Sequence, residues 1–406
     1  MNKLIELKND DTLEHAVTKP LDYLKISTTA EQNGGRGSAL ILTKEDILTI
    51  KRYEKQSLNF PLTLAEVENH LGFKTSNIKG LEPIDILQTY TSINAHAKRW
   101  APLESEIKLV GTSLDIFATS FTVSGQRILN IIDRMDILDQ LELTVADLSL
   151  ESIQDLPLAP LNPKDQKIKT ALVSYLNIIA ADIAKSKKET HDVKQKITHF
   201  AKTLAEQLIP SVNDKITLTS TSNLNQKVTD LEKDIDELTS VIDQKNKEYK
   251  SLTTNVAWGG FGGPIGLIVV GGILGAKAEK IRKEKNSLIA EKNKKISSLK
   301  IKRPLVAALH GLSLHFQNME IRMLDAEQSS KNLEDMWAVL AKYIDRSAEE
   351  LESINNTHDL LTFAVRFERV VSPWHTIKNY THELLIAFES ALTEYKLSRH
   401  YLFIRI

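Results

Sequence analysis

The chain has 406 residues, 42% hydrophobic and 26% charged, with 52 basic residues against 53 acidic ones. That length suits about two or three domains with sizeable cores, and the balance of apolar and charged residues excludes wholesale disorder. A net charge of -1 removes any global pull toward nucleic acid, and the absence of cysteine excludes disulfide frameworks, thiolate metal sites and cysteine nucleophiles.

The start, MNKLIELKNDD, has acids that interrupt any apolar stretch, so it does not read as a signal peptide. Residues 1–81 read as an irregular N-terminal segment with short helices packing on the rest. Gln32 to Ser38 is glycine-rich and loop-like, and Thr43 to Lys55 has the pattern of a short helix. Thr63 and Glu66 have the spacing of a capping box, with Gly72 placed to stop the helix that follows.

Long heptad seams come next. Leu103, Ile107, Val110, Leu114, Phe117 and Phe121 open a series of alternating four- and three-residue steps that runs on to Leu138. This spacing keeps one stripe of a helix against a neighbour. Pro102 is placed to start or kink that helix, Pro163 suits a first-turn position in a second one, and Pro210 suits a stop or bend. The longest seam follows Pro304 and runs from Leu305 through Phe316, Met323, Trp337 and Leu351 to Ile354. Ser372-Pro373 looks like an N-cap and first-turn proline for a last helix bearing Trp374, Ile377, Leu384 and Ala391. The expected fold is all-α: a bundle of long helices from residues 82–223 and 304–406 as a tail, with residues 224–303 as a coiled-coil neck.

One segment does not suit a bundle in water. Residues 256–276, VAWGGFGGPIGLIVVGGILGA, carry no charge and hold half of the 16 glycines. As a helix the run would measure about 31 Å, enough to cross a hydrocarbon core. Its Val, Ile, Leu and Phe residues supply roughly -3 to -5 kcal/mol on an insertion scale. Its glycines cost about 8 kcal/mol of helix propensity and Pro264 about 3 more in a helix interior. These terms nearly cancel, so insertion is expected to be conditional. The membrane-inserting residues are expected to be Val256, Trp258, Phe261, Pro264, Ile265, Leu267, Ile268, Val269, Val270, Ile273 and Leu274. Gly259, Gly263, Gly266, Gly271 and Gly275 would serve as hinges or close-packing positions, with a bend at Gly263-Pro264.

The flanks point the same way. Leu224 to Asn255 is heptad-patterned with five basic and seven acidic residues, and Lys277 to Arg303 is helical in pattern with eleven basic and three acidic. Arms of opposite sign attract, so a helical hairpin with an apolar tip is expected. Lys277, Lys280, Arg282, Lys283 and Lys285 would then lie near anionic headgroups.

No catalytic or metal-binding constellation is present. The eleven histidines include no HExxH, and His310 and His315 are off the spacing that shares one metal. GGFGGPIG lacks the lysine of a phosphate loop, and there is no GxSxG. The chain is read as a non-enzyme without cofactor or metal.

A cysteine-free helical chain with a coiled-coil hairpin around an apolar tip resembles the cytolysin A type of α-helical pore-forming toxins. PLESEIKLVGTSLDIFATSF, NVAWGGFGGPIGLIVVGGILGAKAEKIRKEK and the Trp-bearing C-terminal helices resemble the A component of the alpha-xenorhabdolysin two-component cytolysins. That resemblance implies a tail bundle, a neck and a membrane-active head. It also implies a B component that supplies much of the transmembrane wall, and homo- and hetero-oligomers in the pore. The protein would be secreted without a recognisable signal peptide, soluble before insertion into a host cell membrane. Partners would be the B component and the bilayer, with no nucleic acid. The alternative reading is a membrane-tethered structural or sensory coiled-coil protein with a single span, which would be recovered only with detergent.

Overall fold

The structure is a computed structural model that describes residues 2–29, 37–221, 229–258, 267–300 and 304–403. Helices dominate. They are α1 (Asn2–Thr29), α2 (Lys44–Leu58), α3 (Leu64–Leu71), α4 (Pro83–Ala97), α5 (Trp100–Ile132), α6 (Asp136–Leu141), α7 (Pro163–Thr203), α8 (Ile209–Thr221), α9 (Thr229–Trp258), α10 (Leu267–Lys300), α11 (Pro304–Ser353), α12 (Thr357–Val371) and α13 (Trp374–Phe403). Among the described residues the only β feature is an isolated bridge between Pro160 and Asn356.

Local chemistry sets many of the boundaries. At Thr63 the hydroxyl accepts from the Glu66 N–H while the Glu66 carboxylate accepts from the Thr63 N–H, and Gly72 ends α3 in the left-handed region at φ +77°. Thr43 and Asp46 cap α2 in the same reciprocal way. Asn162 caps α7 and Pro163 occupies its first turn.

α11, 50 residues and about 75 Å long, is the spine of the bundle. Every residue of its expected seam that was named above is buried, Ile354 included. α7 lies antiparallel along it: the Trp337 indole N–H donates to the Thr190 hydroxyl at 3.0 Å, and further along Thr198 donates to Glu327. α13 lies antiparallel on α5 through Lys108–Glu389 and Thr381–Asp115. Phe117 meets Trp337 and Trp374 edge-on at 4.9 and 5.2 Å, which ties three helices together at the centre of the core. α5 and α12 approach so closely that a Cβ on Gly125 would lie 2.6 Å from Val371.

Four sequence expectations are corrected. Asn2–Thr29 forms one helix of 28 residues rather than short irregular pieces. Its apolar periodicity is weak, but Leu13, Ala16, Tyr23 and Leu24 are buried on the bundle, so tertiary packing supports it. The α5 seam does not continue unbroken: α5 ends at Ile132, and Met135 and Leu138 reach the core from the Asp136–Leu141 region after a tight turn. Pro210 does not stop the helix: one π-helical turn, Leu204–Leu208, precedes it, and α8 continues through it. The wider coil absorbs the missing N–H and the clash that proline makes with the preceding turn. Ser372 is not an extended N-cap but sits at φ -52°, ψ -46°, ending α12 with its N–H on the Glu368 carbonyl. Val370, Val371 and Trp374 are all buried in one core, and that requires a tight connection between α12 and α13.

Candidate membrane-active hairpin

α9 and α10 are the two arms flanking the uncharged run. Two ion pairs fix their relation: Lys295 with Asp234 at 2.7 Å and Lys245 with Glu284 at 2.8 Å. From Asp234 to Lys245 is eleven residues forward, and from Lys295 to Glu284 is eleven residues back. The arms are therefore antiparallel and in register, as the opposite charge of the two segments led us to expect. Both pairs are partly exposed and add little stability each.

The uncharged run is divided between the two arms. Val256 and Trp258 are on the last turn of α9, while Leu267, Ile268, Val269, Val270, Gly271, Ile273, Leu274 and Gly275 are on the first turns of α10. Gly259, Phe261, Gly263, Pro264, Ile265 and Gly266, and with them the expected bend, lie outside the described residues. Among the described residues no helix is long and apolar enough to cross a membrane. No group of His, Asp and Glu there could hold a metal ion.

The basic arm is where the structure departs most from the sequence reading. Lys277, Lys280 and Lys283 are exposed. Arg282 and Lys285 are not: they are 3% and 1% exposed, and so in this conformation neither faces a headgroup. The reason is their spacing. Ala278, Arg282, Lys285, Ile289, Lys292 and Ile296 follow one another in steps of four and three, so the cations share the inward stripe of α10 with the apolar residues. That regular spacing is present in the sequence and is the signal that could have found the buried cations.

Each buried cation has partners on another helix. Arg282 and Arg322, from α10 and α11, both donate to the same Asp46 oxygen at 2.6 Å. Arg322 also donates to Glu45 at 2.7 Å, and Arg282 lies 3.6 Å from Asp325. Tyr249 of α9 donates to Asp325 at 2.5 Å. Lys285 donates to the Gln317 carbonyl at 2.9 Å and Lys292 to the Gln317 side-chain oxygen at 3.1 Å. Gln317 in turn donates to Asp243 of α9 at 2.6 Å.

Electrostatics differ across this seam. Burial opposes ionisation of Arg282, but Asp46, Asp325 and Glu45 overcome it and raise its pKa further. Burial pushes Lys285 down to about 7, with Arg322 and Arg282 adding to the effect. Lys292 is pushed down to about 8 by burial, against the pull of Asp243 and Asp236. His310, also buried on α11, is lowered to about 4 by burial with Lys292 nearby.

Comparison with known proteins places this arrangement. No protein-family model and no curated protein matches the chain. Among solved structures, YaxA from Yersinia enterocolitica is 32% identical over 88% of this chain and 100% of that one, with a TM-score of 0.50. Soluble SmhA of the tripartite alpha-pore forming toxin Smh from Serratia marcescens is 12% identical over 93% of this chain and 95% of that one, with a TM-score of 0.54. At that identity the likeness shows the fold alone. The YaxAB pore complex contains a chain 32% identical over 88% of this one and 99% of that one; its TM-score of 0.48 says nothing about shape.

The fold is that of the α-helical pore-forming toxins, an all-α bundle of long helices carrying a coiled-coil hairpin. Within that class, the chain belongs to the xenorhabdolysin A-type toxin components, the family of YaxA.

Proposed function

We propose that this protein is the A component of a two-component cytolysin. It binds target membranes, inserts the uncharged run at residues 256–276 conditionally, and assembles with a B component into a lytic oligomeric pore. Family membership supports the partnership, since a chain of equal identity occurs in the YaxAB pore complex. The observation that carries the membrane step is the hairpin. Its antiparallel arms bring both ends of a charge-free stretch to one end of the neck, with the exposed Lys277, Lys280 and Lys283 beside it. An apolar tip flanked by cations favours an anionic surface through headgroup attraction and burial of apolar area.

The two chains divide the labour. Without a partner, eight glycines and a proline leave the run close to balance between water and lipid. A second component that binds the inserted form better supplies the missing differential free energy.

Dye release from phosphatidylcholine–phosphatidylserine vesicles tests this directly. The chain alone should associate with vesicles and release little dye, and release should require the product of the neighbouring gene. Strong release by the chain alone would refute the two-component reading. No association with vesicles, with or without that product, would refute the membrane reading.

A further inference from the structure

The hairpin is attached to the tail by a different kind of contact from those that join the tail helices to one another. α5, α7, α11, α12 and α13 share one continuous apolar core, to which α9 and α10 contribute none of their described residues. Hairpin and α11 meet instead in two small apolar clusters, one around Ile235, Ile242 and Ile296, the other around Tyr249, Ala278 and Ile321. The rest of the buried seam is polar: Arg282 on Asp46, and Lys285 and Lys292 on Gln317.

These two kinds of seam open at different cost. Parting an apolar core exposes hydrocarbon to water with no return. Parting a buried ion pair returns most of the desolvation penalty that burial imposed on it. The seam also keeps four atoms without a hydrogen-bond partner, Arg282 Nε, Arg322 Nε, Asp325 Oδ2 and Asn246 Oδ1, and water would satisfy Arg282 Nε once the helices separate.

The sharing of one carboxylate explains why there are two arginines. If α10 leaves, Arg282 goes with it into water, while Asp46 and Glu45 retain Arg322 at 2.6 and 2.7 Å. Asp46 stays compensated, its capping bond from the Thr43 N–H is kept, and Asp325, which loses Arg282 and Tyr249 when the arms leave, passes into water on the α11 face they uncover. Opening therefore avoids the cost that usually holds buried ion pairs shut.

From this geometry we infer that α9 and α10 form a detachable unit, latched to the tail by the Arg282–Asp46–Arg322 clasp, and that the latch is an autoinhibitory contact. Release exposes Arg282 and Lys285 on the arm that leads to the uncharged run. The latch itself stands on the packing; its consequence for lysis rests on the pore-forming reading above.

Hydrogen exchange of the full-length soluble chain, followed by mass spectrometry, tests it. Arg282→Met removes the ionic link of α10 to both α2 and α11. Exchange in α9 and α10 should rise roughly ten- to a hundredfold, the scale of losing a hydrogen bond between charged groups, while α5 and α7 keep their protection. Unchanged exchange in α10, or an equal rise in α5 and α7, overturns the inference. A second measurement does not depend on that variant folding. Glu45 and Asn286 touch across the seam at 2.9 Å, and Glu45→Cys with Asn286→Cys can be joined by a short thiol crosslinker in this cysteine-free chain. Closure should slow α10 exchange and abolish dye release from phosphatidylcholine–phosphatidylserine vesicles in the presence of the second component, while the unjoined variant still lyses. Unslowed exchange, or full lysis by the closed form, overturns the latch. If no form lyses, wild type included, the pore reading fails and the exchange rates alone decide the latch.

Discussion

Mild acid should loosen the tail bundle, and His96 offers a direct way to see it. The ring is buried beside Phe200, 3.9 Å between centroids. Its Nδ1 is 2.8 Å from the Tyr53 hydroxyl and its Nε2 is 3.1 Å from the Phe200 carbonyl. With the hydroxyl donating to Nδ1 and Nε2–H donating to the carbonyl, the neutral ring is fully satisfied, and a second proton on Nδ1 would force the Tyr53 hydroxyl from donor to acceptor, leaving its own proton only the Ile93 carbonyl at 3.5 Å. Burial, with Arg99 and His199 adding to it against the Phe200 carbonyl, lowers its pKa from 6.5 to about 4. The sign follows from proton binding. Between those values the unfolded chain binds a proton that the folded chain refuses, so stability is complete above 6.5 and is lost as pH falls toward 4. At 1.36 kcal/mol per unit the loss is about 3 kcal/mol for this residue. Urea unfolding of wild type and His96→Gln, at about pH 7.5 and about pH 4.5, isolates it. The glutamine variant should be less stable at the higher pH and should lose clearly less on acidification than wild type. An equal loss in both proteins would show that His96 titrates normally in the fold, and the neutral-tautomer assignment would be wrong.

Three further outcomes are expected. Gly125→Ala should lower the thermal midpoint through about 1–3 kcal/mol of overpacking, because its Cβ would meet Val371 at 2.6 Å; adding Val371→Ala should recover part of the loss, and a neutral Gly125→Ala would mean that the α5–α12 approach is looser than it stands. Lys285, lowered to about 7 from 10.5, binds its proton less readily in the docked hairpin than in water, so docking should strengthen as pH rises between those values. Exchange of α10, corrected for its intrinsic pH dependence, should show this in wild type and not in Lys285→Met. At the tip, Ile268→Asp costs about 2.5–3.5 kcal/mol at a bilayer centre; dye release should fall while the thermal midpoint of the soluble form stays in place, and normal release by that variant would move the inserting element elsewhere.

Periodicity and local chemistry are legible in the sequence itself. The α11 seam from Leu305 to Ile354, the Thr63–Glu66 capping box with Gly72, and the opposite charge of two arms around residues 256–276 all rest on neighbours within a few turns. A helix face repeats every three or four residues, and a cap is made by residues three apart, so both are written locally. The extent of α1 and the tight turn at Ser372 are settled by packing in the core, where Leu13, Ala16, Tyr23 and Leu24, and Val370, Val371 and Trp374, are buried. The cations show the difference most clearly. Arg282, Lys283 and Lys285 are near neighbours of similar chemistry, yet only Lys283 faces water. A helical cation looks the same in sequence whether it meets solvent or a carboxylate. What buries Arg282 is Asp46, 236 positions away, and only the fold brings the two within 2.6 Å.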